Sequence, residues 1–417
     1  MASKKKAVKV DSTGFNGNLY DYFSDSVSKD PDLKTIVDAK TKMFFPTKLD
    51  LLDYKMGKWV EMQGDSGSDY LSIGPNEGSL ITIVGDSGSG KSTLAVQLAC
   101  NIVAPYDPQM AWVDHFDEEE ATTIERVCML HPDWDLEDAE QYYHLKDSGL
   151  SVEKFYLYLD HICKIKSQLA EKIMQESDKY TDRFGVPLSF LPPTVVILDS
   201  LAVLQPENVI EKNELGTSMS TTSTAKSFAT LFRSMRRLLR KGNIFVLVVN
   251  HLLDNVSINQ YETKRAPVNY LPANKTVYGG KTPVYLSNFV LLIEPGTKLK
   301  SDESFGFDGF LNTLTIVKNR SNKSGQKLAM VFSQEMGFSN ELTNYIYLKN
   351  EAKLIGGAGV SFYLKELPDI KFSQKKFLKT IKTNKEFRKK FKRTIKELYT
   401  DFVFVRNTDD EDGSEEE

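Results

Sequence analysis

Cysteine is too scarce in this chain to organise a fold. The 417 residues hold three, Cys100, Cys128 and Cys163, widely spaced and with no CxxC pair. That excludes a disulfide framework or a thiolate zinc site and suits a reducing compartment. The five histidines (115, 131, 144, 161 and 251) fall at no metal-ligand spacing. Long apolar runs are missing too. The strongest strand candidate, 244–249, has six apolar residues in a row, against about 18 to 20 for a bilayer span. The opening MASKKKAVKV is basic but has no apolar h-region, so no secretory leader is expected. A strong net charge is also absent. The 53 Lys and Arg against 57 Asp and Glu leave a formal −4, which taken alone disfavours a nucleic-acid binder.

What is present is a pattern of short apolar runs separated by helical periods. Runs at 79–84, 110–114, 194–198, 244–249, 288–293, 311–317 and 327–332 read as strands. The segments 94–103, 121–130, 154–175 and 223–240 read as helices. Strands without polar alternation are covered on both faces. The expected fold class is therefore α/β, a mostly parallel sheet flanked by helices. Residues 252–279 break the alternation with a long polar segment, the length of a functional or irregular loop. Residues 1–45 read as an N-terminal segment, 46–350 as the core, 351–408 as a basic C-terminal unit and 409–417 as an acidic tail. The stretches 57–76 and 133–190 look like insertions.

The motif GDSGSGKS at 85–92 follows a strand and opens a helix, the context that a phosphate-binding loop requires. Gly85, Asp86, Ser87, Gly88, Ser89 and Gly90 would turn backbone N–H groups toward phosphate oxygens. Lys91 would reach the β- and γ-phosphates, with Thr93 just behind, and Ser92 would ligate Mg²⁺. Asp199 ends the run TVVILD and is the expected Mg²⁺ partner. The four consecutive acids that close WVDHFDEEE at 112–120, Asp117, Glu118, Glu119 and Glu120, supply a carboxylate that can orient or deprotonate water. Acids are also favoured in the first turn of a following helix, so several of the four compete for that role.

The downstream segments narrow the family. They are DSLAVLQP from Asp199, Ala225-Lys226, Leu231-Phe-Arg233, a strand ending Asn250-His251, YGGKTPVY at 278–285 and Lys318-Asn-Arg320. Their order and spacing over about 45–335 resemble the RecA-type recombinases, most closely the phage UvsX-type branch. The resemblance implies a RecA-like P-loop ATPase core that binds ATP and Mg²⁺. It implies a DNA-dependent ATPase acting in DNA recombination and repair. Such a protein forms helical filaments on single-stranded DNA, exchanges strands with double-stranded DNA, and works with single-strand-binding and loader proteins in the cytoplasm, of a bacterial host if phage-encoded. Asn250 and His251 would sense the γ-phosphate, and Lys318 and Arg320 would reach the nucleotide of a neighbouring subunit. Two DNA-binding loops would carry Lys212, with Lys226 behind it, and Tyr261, Lys264, Arg265, Tyr270 and Lys275. Residues 1–45 would hold a subunit-contact element. Counting back from Arg126 puts the family's catalytic glutamate on Asp117, with Glu118 beside it, and the choice stays open. The adenine-stacking tyrosine falls on Ile124. A hexameric replicative helicase, a regulatory ATPase and a filament scaffold share enough of these features to stand as alternatives.

The charge total conceals an uneven distribution. Residues 371–396 hold twelve Lys and Arg and one acid, Glu386, with apolar residues at Phe377, Ile381, Phe387, Phe391 and Ile395. One or two basic amphipathic helices are expected there, with duplex phosphates as their partner. Residues 409–417 hold seven acids. Removing those seven charges turns the formal −4 into +3, so the average never spoke against a polyanionic partner.

Overall fold

Each apolar run lies in one sheet. Its strands are β1 (Leu80–Gly85), β2 (Trp112–Asp117), β3 (Tyr143–Lys146), β4 (Thr194–Asp199), β5 (Ile244–Asp254), β6 (Lys275–Val277), β7 (Phe289–Leu299), β8 (Gly309–Asn319), β9 (Gln326–Ser333) and β10 (Gly337–Phe338). Their order is β10-β9-β8-β7-β1-β5-β4-β2-β3, with β6 beside β5. From β7 to β3 the six strands are parallel, whereas β8, β9 and β10 run antiparallel. The chain is thus α/β with a large, mostly parallel central sheet. This computed structural model describes residues 42–57, 60–62, 73–146, 149–181, 186–211, 218–254, 269–272, 274–301, 305–398 and 405–407. The expected subunit-contact element, most of the 57–76 insertion, the acidic tail, Lys212, Tyr261, Lys264 and Arg265 lie outside the described residues. Contacts divide the chain into Met1–Lys42 and Met43–Glu417, and the description concerns the second unit.

Two-sided burial follows from the strand sequences. All six residues of β1 and of β4 are buried. Ile81, Ile83, Val195 and Ile197 face helix α2 (Lys91–Val103), whereas Leu80, Val196 and Leu198 join α5 (Val152–Gln168) and α6 (Ser218–Gly242) on the other face. Successive residues point to opposite faces, so a slip of one position would exchange two sets of buried side chains. Before α2 lies α1 (Asp50–Met56), and between β2 and β3 lie α3 (Ile124–Leu130) and α4 (Leu136–Tyr142).

Some boundaries differ from the sequence pattern. Strand β2 continues to Asp117 because His115 and Phe116 are buried with it. The expected helix 154–175 runs over Val152–Gln168, breaks at Leu169 and resumes as a short helix over Ala170–Ile173. Gln175–Thr181 then pairs with Pro187–Phe190 as an antiparallel hairpin. The long segment 252–279 has an ordered base. There β6 folds back on the end of β5, with Leu252 opposite Val277 and Asp254 opposite Lys275. After β6 comes α7 (Lys281–Leu286), which returns the chain to β7.

After β10, α8 (Asn340–Asn350) leads into a three-stranded antiparallel sheet of β11 (Ile355–Ala358), β12 (Ser361–Leu364) and β13 (Leu367–Phe372). Helices α9 (Phe377–Thr383) and α10 (Lys385–Glu397) follow. Phe377, Phe387 and Phe391 pack on one another and, through Phe372 and Tyr345, on α8. Asn384 caps α10 by accepting from Phe387 N at 2.9 Å. The aromatic stripe therefore faces the protein, and Lys379, Lys382, Lys385, Lys389, Lys392 and Lys396 are exposed. Phe387 is fully buried, so Phe387→Ala should cost about 3–5 kcal/mol by removing a packed ring. Chemical denaturation of both proteins measures this.

Candidate functional site

The glycine-rich loop at 85–92 joins the end of β1 to the start of α2. Gly88 and Gly90 have φ of +72° and +92°, the left-handed region that glycine occupies without penalty. A Cβ at Gly90 would also press on the Phe332 and Phe338 rings at 3.0–3.1 Å. Gly90 provides no side-chain cap for α2, so the first amides of a 13-residue helix remain available to an anion. Asn312 of β8, buried, donates Nδ2–H to the Ser89 carbonyl at 3.0 Å and holds the loop from below. The Lys91 ammonium is buried and donates to the Asp86 carbonyl at 2.9 Å. Burial lowers its pKa, and the charges of Asp199, Glu119 and Asp86 partly restore it.

The carboxylates reach the loop from β4 and β2. Asp199 ends β4 directly opposite Asp117 of β2. It is buried, and its Oδ1 has no hydrogen-bond partner. Burial pushes its pKa up to about 6, with the Ser92 hydroxyl opposing that shift and the Glu119 and Asp117 charges adding to it. Asp117 spends its carboxylate on its own turn, accepting from Glu119 N at 3.2 Å and Thr122 N at 2.7 Å. The Glu118 amide donates to the Asp199 carbonyl at 2.9 Å. Of the four consecutive acids, Glu119 is the one that lines the cavity. Its Oε1 lies 3.6 Å from His251 Nε2. Asp117 and Glu118 do not line the cavity, and the chain turns after Glu119 through Glu120 at φ +50°.

His251 lies beside Gly85 in the β1–β5 register. Asn250 before it is fully buried. Its Oδ1 accepts from His251 N at 2.8 Å, and its Nδ2–H donates to the Tyr278 carbonyl at 3.0 Å. The end of β5 is thereby tied to the residue that follows β6. Together these groups enclose a cavity of about 210 Å³. Ser87, Gly88, Lys91, Ser92, Glu119, Asp199 and His251 line it, together with Thr93, Arg126, Phe332 and Gln334. Arg126 Nη1 donates to the Glu335 carbonyl at 3.1 Å. Ile124, where the resemblance puts a base-stacking ring, does not line it.

Lys318 and Arg320 stand elsewhere. Asn319 pairs with Phe289, and Phe289 with Ile81 near the start of β1. The two cations therefore lie toward the amino-terminal ends of the parallel strands, away from Gly85. Lys318 Nζ donates to the Val284 carbonyl at 3.0 Å and also to that of Tyr285, which accepts from Arg320 Nη2 at 3.1 Å. Burial, with the charges of Arg320 and Arg236 beside it, pushes the Lys318 ammonium down to about 8. Lys226 is exposed on α6. Tyr270 has φ +68°, and its ring fills the space that a Cβ on Gly325 would occupy. Lys275 is engaged with Asp254 and Asp86.

No protein-family model matches the chain, and no curated protein matches it. Among the described residues no group of three or more His, Cys, Asp and Glu is arranged to hold a metal, and no helix is long and apolar enough to cross a membrane. The unpartnered Asp199 Oδ1 beside the Ser92 hydroxyl is nevertheless a fitting pair of oxygen donors for Mg²⁺, an ion that keeps several waters and takes phosphate oxygens as further ligands.

The raised pKa of Asp199 has a definite sign in stability. Between about pH 4 and pH 6 the unfolded chain has released a proton that folded Asp199 retains, so stability falls as pH rises through that window. Thermal melts from pH 4 to 7 should show a smaller fall for Asp199→Asn than for the wild type.

Proposed function

We propose that the protein is an ATP-dependent recombination ATPase of the RecA type, closest to the UvsX branch. It would assemble as a filament on single-stranded DNA, promote strand exchange with a duplex, and hydrolyse ATP at subunit interfaces. One observation carries this reading. The phosphate-loop motif, its carboxylate partner and His251 meet in one cavity, whereas Lys318 and Arg320 lie away from it. Lys318 stands opposite Val290 and so level with Thr82, three positions below Gly85, about 10 Å along the strand. Cations so placed suit the nucleotide of another subunit better than their own.

Within the cavity the chain's residues divide the work. Backbone amides of 86–92 and the Lys91 ammonium would bind the triphosphate. Ser92 and Asp199 would hold Mg²⁺, which neutralises charge on the β- and γ-phosphates. Glu119, free at the cavity wall with His251 beside it, takes the role of orienting the attacking water that the sequence pattern left between Asp117 and Glu118. The Asn250 side chain gives His251 a direct route to Tyr278 and the segment before it. ATP would favour the DNA-binding state by binding it more tightly. The exposed lysines of α9 and α10 form a face suited to duplex phosphates.

Electron microscopy with ATP and single-stranded DNA tests the assembly. Helical filaments are expected, closed hexamers would favour a helicase, and no DNA-dependent particle would favour a regulatory ATPase. Lys91→Ala should abolish nucleotide-dependent binding of single-stranded DNA, and retained ATP-dependent filaments would reject the site. Arg320→Ala should lower DNA-stimulated phosphate release by at least about tenfold while leaving nucleotide affinity within about twofold. Unchanged turnover at saturating DNA would remove Arg320 from the mechanism.

A further inference from the structure

Lys275 stands between carboxylates of two different elements. Its ammonium lies 3.1 Å from Asp254 Oδ1, across the β5–β6 hairpin, and 3.6 Å from Asp86 Oδ1 in the glycine-rich loop. Asp254 and Lys275 are register partners, so the first contact is an ordinary cross-strand pair of opposite charges. The second has no local origin. It joins the loop after β1 to the base of the segment 255–268.

Asp86 is unfavourably placed for an anion site. The amides of 86–92, the start of α2 and Lys91 together attract phosphate, while a carboxylate on the same loop repels it. The exposed Asp86 carboxylate adds to the negative field of Asp199 and Glu119 on Lys91. Lys91 is turned to the Asp86 carbonyl, so among the described residues Lys275 is the cation paired with the Asp86 carboxylate, and its place on β6 brings it there.

We infer that Lys275 is a positioning residue for the triphosphate. By neutralising Asp86, the docked hairpin makes the phosphate loop competent, and a bound triphosphate in turn holds the hairpin docked. Linkage of this kind is reciprocal: whatever fixes the hairpin raises nucleotide affinity by the factor with which nucleotide fixes the hairpin. The inference rests on the nucleotide site proposed above. It gives Lys275 a role inside the chain in place of the DNA contact expected from its position in the sequence.

Titration of the full chain with a fluorescent ATP analogue and Mg²⁺ tests it. Lys275→Gln should weaken binding about fivefold, because Asp86 is left uncompensated. Adding Asp86→Asn to that variant should restore affinity to within about twofold of wild type. Wild-type affinity in Lys275→Gln, or no recovery in the double variant, would overturn the inference. A second readout follows the hairpin directly. ATP should slow amide hydrogen exchange at Leu252–Asp254 and at the residues of β6 in the wild type and leave it unchanged in the double variant; equal protection in both would also overturn it. If the wild-type chain fails to bind the analogue, the nucleotide site itself is rejected along with the inference.

Discussion

Register is the constraint on which the site depends. Gly85, His251, Asp199 and Asp117 come from four strands far apart in sequence, yet they finish within two register positions of one another. Gly85 pairs with His251, Asp199 with Asp117, and Leu198 with Val248 of the strand between. Burial on both faces fixes this alignment, since a slip of one residue would move every apolar side chain of a strand to the wrong core. The packing of α2 on one face and of α5 and α6 on the other therefore sets the level at which the polar groups end. The level at which the cavity opens is thus set largely by hydrophobic side chains, of which only a few, such as Val249 and Phe332, reach it.

That arrangement brings charge to a place where charge is costly. Lys91 and Asp199 are both buried, and burial shifts each toward its neutral form. Each offsets part of the other's shift, and Glu119 and Asp117 add negative potential around them. A site poised in this way has an unmet demand for cations on its acidic side and for anions on its amide side. Mg²⁺ and a triphosphate would meet both demands at once. This is a physical reason for reading the cavity as a nucleotide site even though the chain matches no known family model.

Much of the fold was legible in the sequence because apolar runs without alternation have few ways to be buried. The glycine motif was legible because its residues are dictated by backbone geometry and occur in order along the chain. Asn312 was not. It lies 223 residues from the Ser89 carbonyl that it supports, and nothing about an Asn in a strand signals such a contact. Glu119 was hidden among equivalent neighbours, and only the turn at Glu120 selects it. The β5–β6 hairpin was hidden for a different reason. Its three paired positions are too short for a period, and the polar residues between them dominate the composition. The 154–175 helix was legible nearly to its end, since helical residues run to Ile173 with one break at Leu169 and only Gln175 belongs to the strand that follows.

The placing of Lys318 and Arg320 away from the cavity has a consequence for counting. On the proposed reading, each subunit completes a neighbour's site with one edge and has its own completed at the other. Such a contact joins unlike surfaces head to tail, and repeated without closure it gives an open filament. An open row always has one cavity with no cations supplied to it. A lone subunit has no complete site, a pair has one, and the complete fraction approaches unity only in long rows. Turnover per subunit would then report the mean length of the assembly, and short rows would be poor catalysts although each subunit is folded and identical to the rest.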